Sequence, residues 1–111
     1  PTGADLIADI TAHAIRAALR QPALCGIYHL AAAGQTSWHG YASHVIAQAR
    51  LTRPDLPLKV QDIAPVPTTA FPTPAQRPLN SRLDTRKLQQ AFGLVLPAWQ
   101  IGVNRMLAEV L

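Results

Sequence analysis

Arg77, Arg82, Arg86 and Lys87 fall within eleven residues, the densest run of cations in the chain. A guanidinium presents a planar pair of donors that matches phosphate oxygens, so the chemistry open to this segment is anion recognition. No aromatic residue interleaves the four cations. Single-stranded nucleic-acid grooves alternate charge with stacking platforms, so that reading is disfavoured. Ten Lys plus Arg against six Asp plus Glu give a formal net charge of +4. Nucleic acid, a nucleotide and a phosphorylated sugar all answer such a surface, and net charge alone does not choose among them.

Other chemistry is sparse. The four histidines are His13, His29, His39 and His44, and only the last two are near each other. Five residues apart, they point about 140° away from each other on a helix, and Glu109 is the only Glu, so structural roles are expected rather than metal ligation. Ser37, His39 and Asp62 make a nucleophilic triad on paper, but no Gly-x-Ser-x-Gly turn accompanies them. The six glycines never stand at Gly-x-Gly or Gly-x-x-Gly spacing, so no phosphate-cradling loop for a dinucleotide is expected. Neither Tyr28 nor Tyr41 is followed four residues later by Lys. Catalytic, cofactor-binding and metal residues are therefore expected to be none. The lone Cys25 makes no intrachain disulfide, which fits a reducing cytoplasm.

The elements that must position the cations follow from length and periodicity. At 111 residues, with 49% hydrophobic and 14% charged, the chain matches one domain with one core and is not disordered throughout. Trp38 and Trp99 are its expected large pieces. No apolar run reaches the roughly 20 residues of a membrane span. Leu6, Ile7, Ile10, Ala14, Ala17 and Ala18 predict a helix from Ala4 to Leu19, with Thr2 or Asp5 near its start. Gly26–Ala31 predicts a buried strand, Thr36 or Ser37 caps a helix from Trp38 to about Ala49, and Leu58–Ile63 predicts a second strand. Strand, helix, strand is a right-handed βαβ crossover if both strands share one parallel sheet. The expected fold class is thus α/β: a short, mainly parallel sheet packed by about four helices. The last two helices are a short one capped by Asp84 or Thr85 and stopped at Gly93, and one from about Ala98 to Val110.

Five of the ten prolines stand between Pro65 and Pro78. Their fixed φ and missing amide donors exclude helix and central strand, leaving a stiff loop. Linker and binding loop are both open; Val66, Phe71 and the run into Arg77 favour binding. The chain opens Pro1-Thr2-Gly3-Ala4-Asp5 with no signal-peptide pattern, and a piece of a longer protein is expected.

Several strings carry a more specific signal: Gly26-Ile27-Tyr28-His29-Leu30, Gly34-Gln35-Thr36-Ser37-Trp38-His39-Gly40-Tyr41-Ala42, the run from Phe71 to Asp84, and Leu96-Pro97-Ala98-Trp99-Gln100-Ile101-Gly102-Val103. In this order, and over nearly the whole chain, they resemble the C-terminal part of the dTDP-4-dehydrorhamnose reductase family of extended short-chain dehydrogenases. The resemblance implies an oxidoreductase of nucleotide-sugar metabolism that reduces dTDP-4-dehydro-L-rhamnose with NADPH or NADH, feeding polysaccharide synthesis in the cytoplasm. Residues 1–111 would be a single C-terminal substrate-binding domain fragment. The N-terminal Rossmann domain, with the cofactor fold and the Tyr-x-x-x-Lys pair, lies outside them. That domain and a dTDP-sugar are the implied partners, and a homodimer stays open. Some members are metal-linked dimers, but Glu109 alone makes no metal site.

In related enzymes an Arg-Pro pair before an Asp-capped helix presents the Arg to a diphosphate, and Arg77-Pro78, Asp84 and Phe92-Gly93 match that pattern. The resemblance therefore implies a phosphate role for Arg77, against the alternative of a pairing with a carboxylate or helix end. Asn80 and Ser81 are candidates for the same ligand. Ser37-Trp38-His39 takes two readings: Ser37 as N-cap with Trp38 packed in the core, which free helix amides favour, or the turn as a pocket lining with Trp38 a substrate contact. A non-catalytic regulatory subunit and a small basic nucleic-acid module are the alternatives.

Overall fold

Helical periodicity decides most of what forms. The computed structural model describes residues 1–111, with helices α1 (Ala4–Arg20), α2 (Trp38–Thr52), α3 (Arg86–Phe92) and α4 (Trp99–Val110) and short 3₁₀ turns at Pro22–Leu24 and Thr68–Ala70. The Ser37 hydroxyl accepts the Gly40 amide at 3.1 Å and starts α2, as its position before an apolar stripe predicts. Gly93 ends α3 at φ +62°, a left-handed conformation that favours glycine. Thr2 and Asp5 do not cap α1: its N-cap is Gly3, and the Thr2 hydroxyl instead accepts the Ala32 amide at 3.1 Å.

The α/β expectation is overturned. Gly26–Ala31 and Leu58–Ile63 form no strands, so there is neither a parallel sheet nor a βαβ crossover, and the one β-type pairing is an isolated parallel bridge between Ala33 and Ala98. Short apolar runs are the ambiguous case for pattern reading, because a strand exists only with a ladder partner. Here side chains take the carbonyls that a neighbouring strand would take. His39 Nε2 donates to Ile63 O at 2.9 Å, Arg50 Nη2 donates to Val60 O, and Lys87 Nζ donates to Ile27 O at 2.8 Å.

The core is built where α2 crosses α4. Trp99, Val103 and Leu107, four residues apart along α4, are buried together against Ala32, Tyr41, Val45 and Leu111. Across the bridge, Ala33 N donates to Pro97 O at 2.8 Å and Trp99 N donates to Ala33 O at 3.0 Å. Gly34 follows at φ +87°, and a Cβ there would stand 3.3 Å from the Trp99 ring. Trp38 is not the second large core piece that composition suggests: at the first position of α2 it is 84% exposed.

Only six residues are buried, and the radius of gyration is 17.5 Å, against about 13 Å for a compact chain of this size. Helix α1 shows why. By the 3.6-residue period, Leu6, Ile10, Ala14 and Ala17 share one half-buried side, while Ile7, Ile15 and Leu19 span about 120° of an exposed one. Asp5, Asp9, Arg16 and Arg20 occupy the remaining arc. A helix apolar around most of its circumference is one that packs on two sides.

Trp99→Ala is expected to cost about 3–5 kcal/mol, the range for removing a buried Trp, and to release Gly34 and Tyr41 together. Denaturant unfolding checks this, and a loss below 1 kcal/mol would show that α4 is not the organising element.

Candidate phosphate-binding loop

Pro65, Pro67, Pro72, Pro74 and Pro78 remove five amide donors from the segment between Ile63 and Arg82, and its remaining bonds are short-range. Ala70 N donates to Pro67 O at 2.9 Å, Phe71 N to Thr68 O at 3.1 Å, and Thr73 Oγ1 to Ala75 O at 2.8 Å. The loop is exposed throughout, and Phe71 is 74% exposed. Arg77 sits near its end. The chain's four ion pairs all involve other residues, and no side-chain hydrogen bond includes the Arg77 guanidinium. The alternative of a structural pairing with a carboxylate or helix end has no counterpart in this geometry.

The other three cations of the cluster are committed. Arg82 donates from Nε to Asn80 Oδ1 at 2.9 Å and from Nη1 to Gln35 Oε1. Lys87 stands 4.7 Å over the Tyr28 ring besides holding Ile27 O. Arg86 grips Asp84 with Nε at 2.9 Å and with Nη2, while the Arg86 amide donates to Asp84 Oδ1 at 3.0 Å. That guanidinium, and then that amide, hold the Asp84 carboxyl far below the usual carboxylate range. The N-cap of α3 is Thr85, which makes no side-chain cap bond, and it is Asp84, one residue earlier, that accepts the first amide of the helix.

The four predicted site residues do not converge on one pocket. Asn80 uses its oxygen on Arg82, accepting from its amide at 3.1 Å as well as from its side chain, and Ser81 Oγ lies 3.5 Å from Pro78 O. Trp38 meets Tyr41 edge to face at 6.2 Å and is otherwise open to solvent. No hydrogen bond joins Arg77 to any of the three. The residues that connect these parts are Gln35, His39 and Arg82, to which the sequence assigned no role beyond charge or structure. A polar groove of about 250 Å³ between α2 and residues 60–63 is lined by His39, Ser43, Arg50 and Asp62 and includes none of the four. Three histidines are in structural contacts: His39 on Ile63 O, His44 Nε2 on Asn104 Oδ1 at 2.7 Å and edge-on to Trp99 at 5.0 Å, and His13 edge-on to Phe92 at 6.4 Å.

The geometry is thus a helical scaffold carrying an exposed, proline-stiffened loop with one uncommitted guanidinium. The sequence matches, over residues 1–111, the family described as RmlD substrate binding domain. The chain belongs to that family. It is 57% identical over 110 residues to the dTDP-4-dehydrorhamnose reductase of Escherichia coli (strain K12), covering 99% of this chain and 36% of that protein. The protein of the same name from Burkholderia thailandensis is 44% identical over 115 residues, with 39% of its length covered, and that of Sinorhizobium fredii is 36% identical over 114 residues, with 37% covered. The chain therefore spans a little over a third of the length of these curated relatives. No helix is long and apolar enough to cross a membrane.

The depressed Asp84 carboxyl gives a pH prediction. A group whose folded pKa is lowered adds stability that is fully present above its unfolded value, about 3.9, and is lost as pH falls through the folded one. Asp84→Asn should therefore lower the melting temperature slightly at pH 7, with the difference shrinking below about pH 4. A difference that persists unchanged at pH 2 would assign the effect to capping alone.

Proposed function

We propose that this chain is the dTDP-sugar-binding portion of a dTDP-4-dehydrorhamnose reductase. The observation that carries the reading is 57% identity to one such enzyme across 99% of the chain. In the whole protein, a hydride from NADPH or NADH goes to the C4 carbonyl carbon of dTDP-4-dehydro-L-rhamnose and a proton to its oxygen, giving dTDP-L-rhamnose. The residues here do not fit the cofactor, since no glycine spacing cradles its phosphates and no Tyr stands four residues before a Lys. Those parts are assigned to an N-terminal Rossmann domain in the remainder of the parent polypeptide, in the cytoplasm, where Cys25 stays a free thiol.

This chain's own contribution is to hold the diphosphate. Arg77 offers a fork of donors with no internal claimant, on a loop whose proline rings have already fixed much of the backbone. Ordering it around a ligand costs less conformational entropy than ordering a glycine-rich loop would. Trp38, with its exposed indole at the entry of α2, is the candidate stacking face for the base or sugar. Asn80 and Ser81 retain the Nδ2 donors and the hydroxyl oxygen for the same ligand.

In the complete enzyme, Arg77→Ala should remove charge-assisted hydrogen bonds worth roughly 1.5–3 kcal/mol, raising KM for the sugar nucleotide about ten-fold or more while cofactor binding changes little. Arg77→Lys should recover part of the loss, because an ammonium carries charge without the planar fork. Unchanged kinetics in Arg77→Ala, or lost stability with normal kinetics, would sink the diphosphate role.

The exposed arc of α1 is assigned to the missing domain. Leu19, 80% exposed here, would then be buried in the parent, and Leu19→Asp should destabilise the full-length protein by at least about 2 kcal/mol while leaving this isolated chain almost unaffected. Equal effects in both would remove that assignment.

A further inference from the structure

The loop that carries Arg77 is tied down at both ends, and both ties land on one short turn. At its entry, Ile63 O accepts from His39 Nε2 at 2.9 Å; at its exit, Arg82 Nη1 donates to Gln35 Oε1. Gln35 and His39 flank Ser37 and Trp38, at the start of α2. Between those ties every hydrogen bond of the loop is made within four residues, so nothing else fixes it to the helices. The prolines make it stiff without making it attached. A stiff strap clamped at both ends has one position; freed at one end, it swings as a lever.

We propose that Arg82, acting through Gln35, is the positioning residue that sets where Arg77 meets the sugar nucleotide relative to Trp38. The inference rests on the assignment of Arg77 to the diphosphate. Arg82 is suited to anchoring rather than to ligand contact. Its Nε and amide are spent on Asn80 Oδ1, which fixes the side chain's direction, and its Nη1 reaches a residue 47 positions away. Without that tie, the next fixed point after Arg77 is the Asp84 and Arg86 start of α3. The tether then lengthens by about three residues, or roughly 10 Å of reach, which disperses the guanidinium over many positions. The Asn80 oxygen accordingly belongs to the anchor and not to the ligand.

The test is a double-mutant cycle in the full-length parent enzyme, with KM and kcat for the sugar nucleotide, KM for the nicotinamide cofactor and melting temperature measured for Arg82→Ala, Gln35→Ala, the double variant, Arg82→Lys and Arg77→Ala. Each single anchor variant should raise the sugar-nucleotide KM by about three- to ten-fold, with a smaller change in kcat and none in the cofactor KM. The double variant should be no worse than Arg82→Ala alone, because one interaction has been removed twice. Arg82→Lys should restore part of the loss, since an ammonium still donates to Gln35. Multiplying effects would overturn the proposal, as Arg82 would then touch the ligand itself or act without Gln35. Anchor variants with normal KM beside an impaired Arg77→Ala would overturn it too, leaving the Arg77 assignment standing. A normal KM in Arg77→Ala with raised KM in the anchor variants would instead remove that assignment and, with it, the placement of Arg77 by Arg82.

Discussion

The placement of the α2 entry against α4 hangs on the ring of Trp99. The indole is buried at the start of α4, directly after the one β-type bridge, and its neighbours come from two stretches: Gly34, Tyr41 and His44 from the α2 region, with Val103 and Leu107 completing the seam on its own helix. Gly34 is favoured as glycine by its φ of +87°, and a Cβ there would press on that ring at 3.3 Å. The bridge and the ring therefore specify one arrangement of the entry to α2 against α4. Once that entry is placed, Ser37, Trp38, Gln35 and His39 are placed with it, and the loop's two ties follow.

A sheet would have distributed this burden across many amide pairs. Its absence puts single side chains in charge of whole segments. His39, Arg50 and Lys87 each hold one carbonyl of an irregular stretch, and Arg82 holds a side-chain amide. Apart from the half-buried His39 bond such contacts are exposed, and each is individually modest. Exposed apolar residues on α1, and a radius of gyration well above that of a compact chain, describe the same condition at the scale of the molecule. The proline loop and the α1 face are the two parts of the chain with the fewest internal partners.

What could be read from the sequence follows the range of each interaction. Helices were legible because their signals are local: the apolar period of α1 and α4, Ser37 before α2, Asp84 before α3, Gly93 after it. Strands were not, because Gly26–Ala31 and Leu58–Ile63 look alike whether a ladder partner exists or not. Trp38 was misread as core for a related reason, since its type suggests burial but its place at the first position of α2 leaves it outside the seam that Trp99 fills. Arg77 was singled out by the cation cluster and the proline loop, and its assignment to a diphosphate came from resemblance to a family, with Pro78 and Asp84 as the supporting marks. The Arg82 and Gln35 contact left no sequence signal. A pair 47 residues apart is invisible to periodicity.

The distribution of committed charge narrows the ligand class more than the net charge of +4 does. Arg53, Arg86 and Arg105 spend themselves on Asp55, Asp84, Asp5 and Glu109, and Arg50, Arg82 and Lys87 spend themselves on carbonyl oxygens or amides. Of the cluster from residue 77 to 87, Arg77 alone keeps its donors. A nucleic-acid surface needs several free cations following a backbone, because its affinity is the sum of many phosphate contacts. Outside the cluster Arg16, Arg20 and Lys59 are unpaired as well, but within it a single free guanidinium does not supply that sum. It can supply a two-point grip on a single diphosphate, whose geometry a planar fork matches and whose remaining affinity comes from apolar and stacking contacts elsewhere in the site. The cluster that first suggested a basic module is thus, once its internal partners are counted, one uncommitted guanidinium, Arg77, beside three cations already spent on the chain's own oxygens and the Tyr28 ring.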